Sequence, residues 1–182
     1  MTNLLPDLVN DGRLSYALAC WRRWRGANVW PAREDIDPLD LKNLLPGMYM
    51  LESIENGHRF RFTLAGKTVR ENLGFELSGK YLDDLFSGPQ LAWSTDVHRK
   101  VLAGFGHFAL QHWQRRGKAV RAFRRLLLPL ASDHAHPDMI VGFGLYDQLD
   151  RRETIPLDHI NDPVTIQIVA ESSINLSENP ET

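Results

Sequence analysis

The period of the hydrophobic pattern changes three times along the 182-residue chain, and this limits the fold more than any single motif. Leu14, Ala17, Leu18, Trp21 and Trp24 recur at spacings of three and four, giving a helix from about Asp11 to Arg25 with one apolar stripe. Phe60, Phe62 and Leu64 then alternate with Arg59, Arg61 and Thr63, the pattern of a strand with one face buried. Trp93, Val97 and Val101 return to helical spacing, after which "GHFALQHW", "AVRAFRRLLLPLAS" and "MIVGFGLYD" read as three strands. Helix, strands, helices, strands is the order of an α+β fold, an antiparallel sheet with helices on one face.

The turn chemistry agrees. "ENGH" joins "GMYMLESI" to "RFRFTLA" as a hairpin, and the short loops "QRRGK" and "DHAHPD" favour antiparallel neighbours. Gly26 ends the first helix; Pro89 sits at the start of the long one and Gly104 closes it. The stretch 67–87 between them is punctuated by glycine and reads as short helices.

A chain of this length buries a core without metal or disulfide staples, and the single Cys20 has no internal partner. The start "MTNLLPDLVNDG" lacks a basic leader and is interrupted at Pro6 and Asp7, so a cytoplasmic protein is expected. Apolar runs fall short of the ~18 residues a membrane span needs. The net charge of −2 conceals an asymmetry: from Asp147 onward eight acids face Arg151 and Arg152, a balance of −6 that leaves residues 1–146 at +4. We accordingly divide the chain into an N-terminal helical extension (1–30), a domain (31–147) and an acidic tail (148–182), partly disordered, in which "VTIQIVA" could add a short strand.

Four carboxylates, Glu34, Asp35, Asp37 and Asp40, crowd the segment "PAREDIDPLDLKNLLPG". A phosphoryl-transfer Asp pair needs an apolar strand running into the first Asp, and "VWPARE" is not one. A calcium loop counted from Asp35 would place Gly at position 40 and Glu at position 46, where Asp40 and Pro46 stand. The acids are better read as helix-start signals: Asp37 as N-cap, Pro38 at the first helical position, and Leu39, Leu41, Leu44 and Leu45 giving apolar contacts.

With these residues in place, "YALACWRRWRGANVWPAREDIDPLDLKNLLPGMYMLE" and "RFRFTLAGKTVRENLGFELSGKYLDDL" resemble a bacterial family of stand-alone PAS-like proteins. In that family a tryptophan-bearing helix and an R-x-D-I-D-P segment precede the PAS core; the likeness spans about residues 14 to 146. Its most specific residues are Pro31, Arg33, Asp35, Ile36, Asp37 and Pro38, then Leu45 and Pro46, and next Phe60, Arg61, Gly66, Gly74, Gly79 and Leu82. The resemblance implies a five-stranded antiparallel sheet and a sensory or regulatory role without enzymatic activity. The tail shows no recognisable output region, so a signal would pass to a separate protein partner.

The resemblance also places a pocket for a small molecule between the sheet and the helices of residues 67–103. Its lining would come from Phe62, Leu64, Val69, Leu73, Phe75, Leu82, Val97, His98, Val101, Leu110 and Phe143. A filled core at the same place is an equal reading. Photoactive flavin PAS domains carry a reactive Cys among the short helices, whereas Cys20 stands outside them, which argues against flavin. Haem PAS domains offer a His from the long helix; His98 is on it without further haem-type matches, and an exposed or capping histidine is the preferred reading, so the cofactor is left unknown. Flanking helices pair many PAS domains, so Leu14, Leu18, Trp21 and Trp24 are candidates for a homodimer face, with packing onto the chain's own sheet as the alternative.

Other groups point less clearly to function. His107 and His112, five apart on one strand, face opposite sides and do not chelate one ion together. His134 and His136 share a loop with Asp133 and Asp138, read as a solvated turn. "RRGKAVRAFRR", residues 115–125, holds six basic residues and no acid, the basis of an alternative nucleic-acid or acidic-partner surface, set against a domain charge of only +4. A small-molecule enzyme on an α+β cup is a further alternative, for which no nucleophile stands beside a base at a recognised spacing.

Overall fold

A computed structural model describes residues 11–115, 118–146 and 164–177, with the side chains of residues 112–122 and 164–170 outside the description. Helix α1 (Gly12–Arg25) begins at Asp11, whose carboxylate accepts the Arg13 N–H at 3.1 Å. Arg22, Arg23 and Arg25 occupy its last turn, where positive charge suits the helix dipole, and Gly26 ends it at a φ of 53°. Strands β1 (Met48–Ile54) and β2 (Arg59–Ala65) form the expected hairpin. The short helices α2 (Lys67–Leu73) and α3 (Leu82–Leu85) and the longer α4 (Gly88–Leu102) follow. Strands β3 (Phe105–Arg115), β4 (Lys118–Leu130), β5 (Met139–Tyr146) and β6 (Val164–Asn175) complete the order.

All neighbours pair antiparallel in one sheet ordered β2-β1-β5-β4-β3-β6. The sheet has six strands rather than five. The extra one is β6, which runs past "VTIQIVA" through "ESSIN" and pairs with β3 from Phe105 to Arg115, so residues 164–175 of the acidic segment belong to the sheet. Its polar residues form a strand because the β3 edge offers a full row of unpaired N–H and C=O groups, and these reward pairing regardless of side chain.

Two cores lie on the two faces of this sheet. Helix α1 packs on one: Leu14, Leu18, Trp21 and Trp24 are buried with Met50, Phe108, Leu126, Leu128 and Phe143. Trp21 is fully buried, its ring 6.2 Å from Trp30 and its indole N–H donated to the Pro129 carbonyl at 2.7 Å. These four side chains are buried within one chain, the packing onto its own sheet that the sequence offered as the alternative. The other face, built from Tyr49, Leu51, Phe60, Phe62, Leu127 and Ile140, is covered by α2, α3 and α4.

The acid-rich segment forms turns rather than the expected helix. Asp37 still caps, accepting the Leu39 N–H at 2.8 Å, but the backbone continues as successive turns through Leu44 before a 3₁₀ turn at Leu45–Gly47. Leu41 and Leu44 are buried as expected, whereas Leu39 is 83% exposed and contributes no apolar contact. The acids diverge to separate partners. Asp35 accepts the Ala32 N–H at 2.7 Å, and Asp40 receives the Trp24 indole N–H at 3.0 Å and Arg23 at 2.6 Å, tying the turn to α1.

Candidate functional site

Between the sheet and α2–α4 lies a cavity of about 40 Å³, enough for roughly three water molecules. Strand alternation selects its floor. On β4 it presents Phe123, Arg125 and Leu127 to this side and sends Leu126 and Leu128 to α1; on β5 it presents Gly142, Gly144 and Tyr146. The two glycines make room for aromatic rings. A Cβ at Gly142 would stand 2.3 Å from the Tyr49 ring, and one at Gly144 would stand 2.6 Å from Phe123, so both aromatic rings lie flat on bare backbone.

The walls are apolar. Val69 and Leu73 come from α2, Leu82 and Leu85 from α3, and Phe62 from β2. The loop before α3 is pinned to the edge strand, because Phe62 N–H donates to the Lys80 carbonyl at 2.8 Å and Gly79 N–H returns to the Phe62 carbonyl at 2.7 Å. Against these walls stand five polar side chains: Tyr49, Ser94, His98, Arg125 and Tyr146.

Arg125 is the unusual one. It is 6% exposed, its Nε and Nη2 have no hydrogen-bond partner, and its guanidinium lies 5.0 Å from the centre of the Trp93 ring. No carboxylate lies within ion-pair distance of it among the described residues. Burial pushes its pKa down, while the Tyr49 hydroxyl and the more distant Glu171 and Tyr146 favour the charged form. Tyr49 is pushed up by burial, against the pull of the guanidinium.

His98 is 2% exposed, not the exposed or capping histidine the sequence suggested. With Ser94, Val97 and Val101 it makes the inner stripe of α4, at offsets of three, four and seven from Ser94. Its Nδ1 is 2.6 Å from the Ser94 carbonyl, and its ring lies 5.2 Å from Phe60. In the neutral ring Nδ1–H donates to that carbonyl. Burial first, and the Arg125 charge second, push its pKa down to about 3. His107 on β3, whose ring stands 6.4 Å from Trp93, is pushed down to about 3 by burial, then by Arg125.

Of the residues expected to line the pocket, Phe62, Val69, Leu73, Leu82 and His98 do so. Val97 and Val101 are buried in the same core, and Phe75 packs against it. Leu64, Leu110 and Phe143 do not belong here. Leu64 packs on the α1 side because the β1–β2 register slips between Met50 and Leu51, opposing Met50 with Leu64 and Leu51 with Phe62, so Thr63 is bulged out. Phe143 pairs with Leu126 and lies in the α1 core, and Leu110 pairs with Arg124, which reaches Asp11 at the start of α1 at 2.9 Å. Cys20 is buried in that same core, across the sheet from the cavity.

Sequence reasoning missed Tyr49, Leu77, Leu85, Phe86, Ser94, Phe123, Arg125 and Tyr146 of the lining, and the two glycines beneath the rings. Arg125 was hidden in the basic run, yet Phe123 and Leu127 flank it at spacing two, the signal that it shares their buried face. The run itself is not one charged surface, since Arg125 is buried and Arg124 is paired with Asp11; the side chains of Arg115, Arg116, Lys118 and Arg121 lie outside the described residues. The histidine loop is held by its own groups. Asp133 accepts the Ala135 and His136 N–H groups at 2.8 and 2.7 Å, and Asp138 accepts that of Ser132 at 2.9 Å.

An antiparallel sheet with short helices and one longer helix packed over one face, beside a cavity, is the architecture of the PAS-type α+β fold. A family profile described as PAS domain (PAS_5) matches residues 13–145, and the chain belongs to this family. Among solved structures it is similar to the PAS domain of Bordetella pertussis BvgS, at 14% identity and a TM-score of 0.40, over 64% of this chain and 90% of that one. It is also similar to a fungal LOV domain photoreceptor, at 14% identity and a TM-score of 0.41, over 76% of this chain and 96% of that one. No curated protein matches it. No helix among the described residues is long and apolar enough to cross a membrane.

Proposed function

We propose that the protein is a sensory or regulatory PAS domain whose cavity beneath α2–α4 binds a small molecule, the bound state being relayed to a separate protein partner. One observation carries this reading: five polar side chains, one of them a buried guanidinium, converge on an otherwise apolar cavity. A site evolved only for packing gains nothing from a buried charge, which is costly to desolvate, whereas apolar walls with a few convergent polar groups are the usual form of a ligand site.

The chemistry favours binding over turnover. A general acid or base is most effective with a pKa near the working pH, and both His98 and His107 lie far below neutrality. The nucleic-acid alternative loses support, because two of its six basic residues, Arg124 and Arg125, are committed elsewhere.

Native mass spectrometry of the freshly purified protein, compared with its denatured mass, tests the reading. A non-covalent mass excess that disappears on denaturation is expected. A clean apo chain whose melting temperature no small molecule of a broad panel shifts would overturn it.

A further inference from the structure

We infer that a groove beside the start of α1 takes an acidic segment of a separate protein, with an apolar side chain of that segment against Tyr16 and Leu39 and its carboxylates against Arg13 and Lys42. The inference deepens the reading of a signal passed to a protein partner by naming that partner's chemistry, and it does not depend on what the cavity takes. The groove lies on the α1 side of the sheet. Arg13 and Tyr16 of α1 line it from one side, and the turns that carry Leu39, Lys42 and Leu44 line it from the other. It holds about 400 Å³, against about 40 Å³ for the cavity.

Charge is the first support. The two carboxylates at the groove already have arginines of their own: Arg23 lies 2.6 Å from Asp40, and Arg124 lies 2.9 Å from Asp11. Arg13 stands at a looser 3.5 Å from the same Asp11, its side chain 58% exposed. Lys42 is exposed and has no carboxylate within ion-pair distance among the described residues. The nearby Asp37 is turned to the Leu39 N–H and does not line the groove. Arg13, Arg23, Arg124 and Lys42 thus face Asp11 and Asp40 alone, a surplus of positive charge that an anionic partner complements.

The apolar part sets the class of partner. Leu39 is 83% exposed and Tyr16 48%, and both line this groove, whereas Leu41 and Leu44 of the same turns are buried. Tyrosine and arginine together are the side chains most enriched where proteins meet. A nucleic acid is held by neutralising many phosphates along a track, and the cations left over here are Arg13 and Lys42. A free small anion would leave Leu39 and Tyr16 in water. An acidic peptide with a bulky apolar side chain uses both halves of the groove.

The test is fluorescence polarisation of the full chain with the labelled acidic peptide DEELFEELD, beside NQQLFQQLN, which keeps the shape without the charge. Saturable binding of the acidic peptide is expected, weakened by salt, with the neutral one weaker by roughly 3- to 30-fold, the effect of two exposed ion pairs. Lys42→Glu with Arg13→Glu should abolish that preference, and Leu39→Ser should weaken the acidic peptide by roughly threefold or more. Leu39 and Lys42 are exposed, so Leu39→Ser and Lys42→Glu keep the test alive even if Arg13→Glu does not fold. Equal binding of the two peptides, binding unmoved by these substitutions, or no binding of either would overturn the inference. So would three results that assign the groove elsewhere. Equal competition by a thymidine oligonucleotide would give it to nucleic acid, and a dimer that the acidic peptide dissociates would give it to a second copy. A gain in affinity on Leu4→Ser with Leu5→Ser would give it to the chain's own leading segment. The mass and panel measurements above decide the reading of the cavity separately.

Discussion

Trp21 and Pro129 are joined by a buried hydrogen bond of 2.7 Å that links the first helix to a central strand across 108 residues of chain. Pro129 lies beyond the last β3–β4 pair, Leu127 with His107, so its missing N–H breaks no bond to β3, and its carbonyl is satisfied by the indole. The tryptophan thus supplies both apolar area and the polar partner of a buried carbonyl. Trp21→Phe should cost about 1–3 kcal/mol by orphaning that carbonyl, and Trp21→Ala about 3–5 kcal/mol through the cavity it leaves. Urea unfolding followed by circular dichroism measures both. Trp21→Ala combined with Trp24→Glu should give an unfolded chain; a folded monomer with native circular dichroism would mean that α1 is not part of the core.

Asp40 gathers Arg23 and Trp24 onto one carboxylate, and these hydrogen bonds, Arg23 first, hold its pKa below the ordinary range. A depressed carboxylate contributes stability that is present above its unfolded pKa of about 4 and is lost as pH falls through its lower folded value. Asp40→Asn should therefore lower stability at pH 7 and flatten the acid limb of the stability curve below about pH 4. Urea midpoints from pH 7 to pH 2.5, at low and high salt, provide the check, and an unchanged acid limb would show that the turn is held by its backbone alone.

The histidines act in a different window. His98 and His107 have folded pKa values pushed down to about 3, below the ~6.5 of the unfolded chain. Between these values the unfolded state binds the extra protons, so stability is full above about pH 6.5 and declines as pH falls toward 3. Each histidine contributes up to about 1.4 kcal/mol per pH unit to that slope. His98→Leu, which removes one titrating group from an apolar site, should take away about half of the slope between pH 6.5 and 4.5. A slope unchanged by the substitution would place the proton uptake elsewhere.

Much of this architecture was legible because period and punctuation are local properties. Strands β1 to β5, α1 and α4 follow from alternation, helical spacing and the glycines and prolines at their ends. The misplaced residues depended on parity, which one bulged residue inverts: Thr63 is enough to send Leu64 to the opposite core from Phe62. The polar part of the candidate site was illegible for a related reason. An arginine in a basic run looks solvated until its strand's inward face is known, and the two glycines of β5 have no side chain to announce that two rings of the cavity wall lie on them. Likewise β6 is held by the pairing its β3 neighbour offers more than by a hydrophobic pattern of its own.

That pairing can be tested by ending the chain after Tyr146. The edit leaves the β3 backbone from Phe105 to Arg115 with one unpaired side, in the position of a long exposed edge. The shortened chain should lose solubility, and hydrogen exchange should show faster exchange of β3 amides than of those in β1. Equal protection of β3 in both forms would mean that β6 adds little to the sheet.

Gly142 tests the cavity floor itself. Tyr49 lies across it, with ring atoms 2.3, 2.4 and 2.8 Å from where a Cβ would stand, too close for any real contact. The added methyl of Gly142→Ala therefore has to displace the ring, which lines the cavity. The substitution should cost about 1–3 kcal/mol, the range for overpacking, and should close the cavity to ligand. Tyr49→Leu alone should also cost stability by thinning the core. Together the two should cost less than their sum, because the smaller side chain removes the clash that made the alanine costly; a coupling of at least about 0.5 kcal/mol from urea unfolding of all four proteins is expected. Strict additivity would show that the ring already has room to yield, and that the bare backbone at Gly142 is not what shapes the cavity.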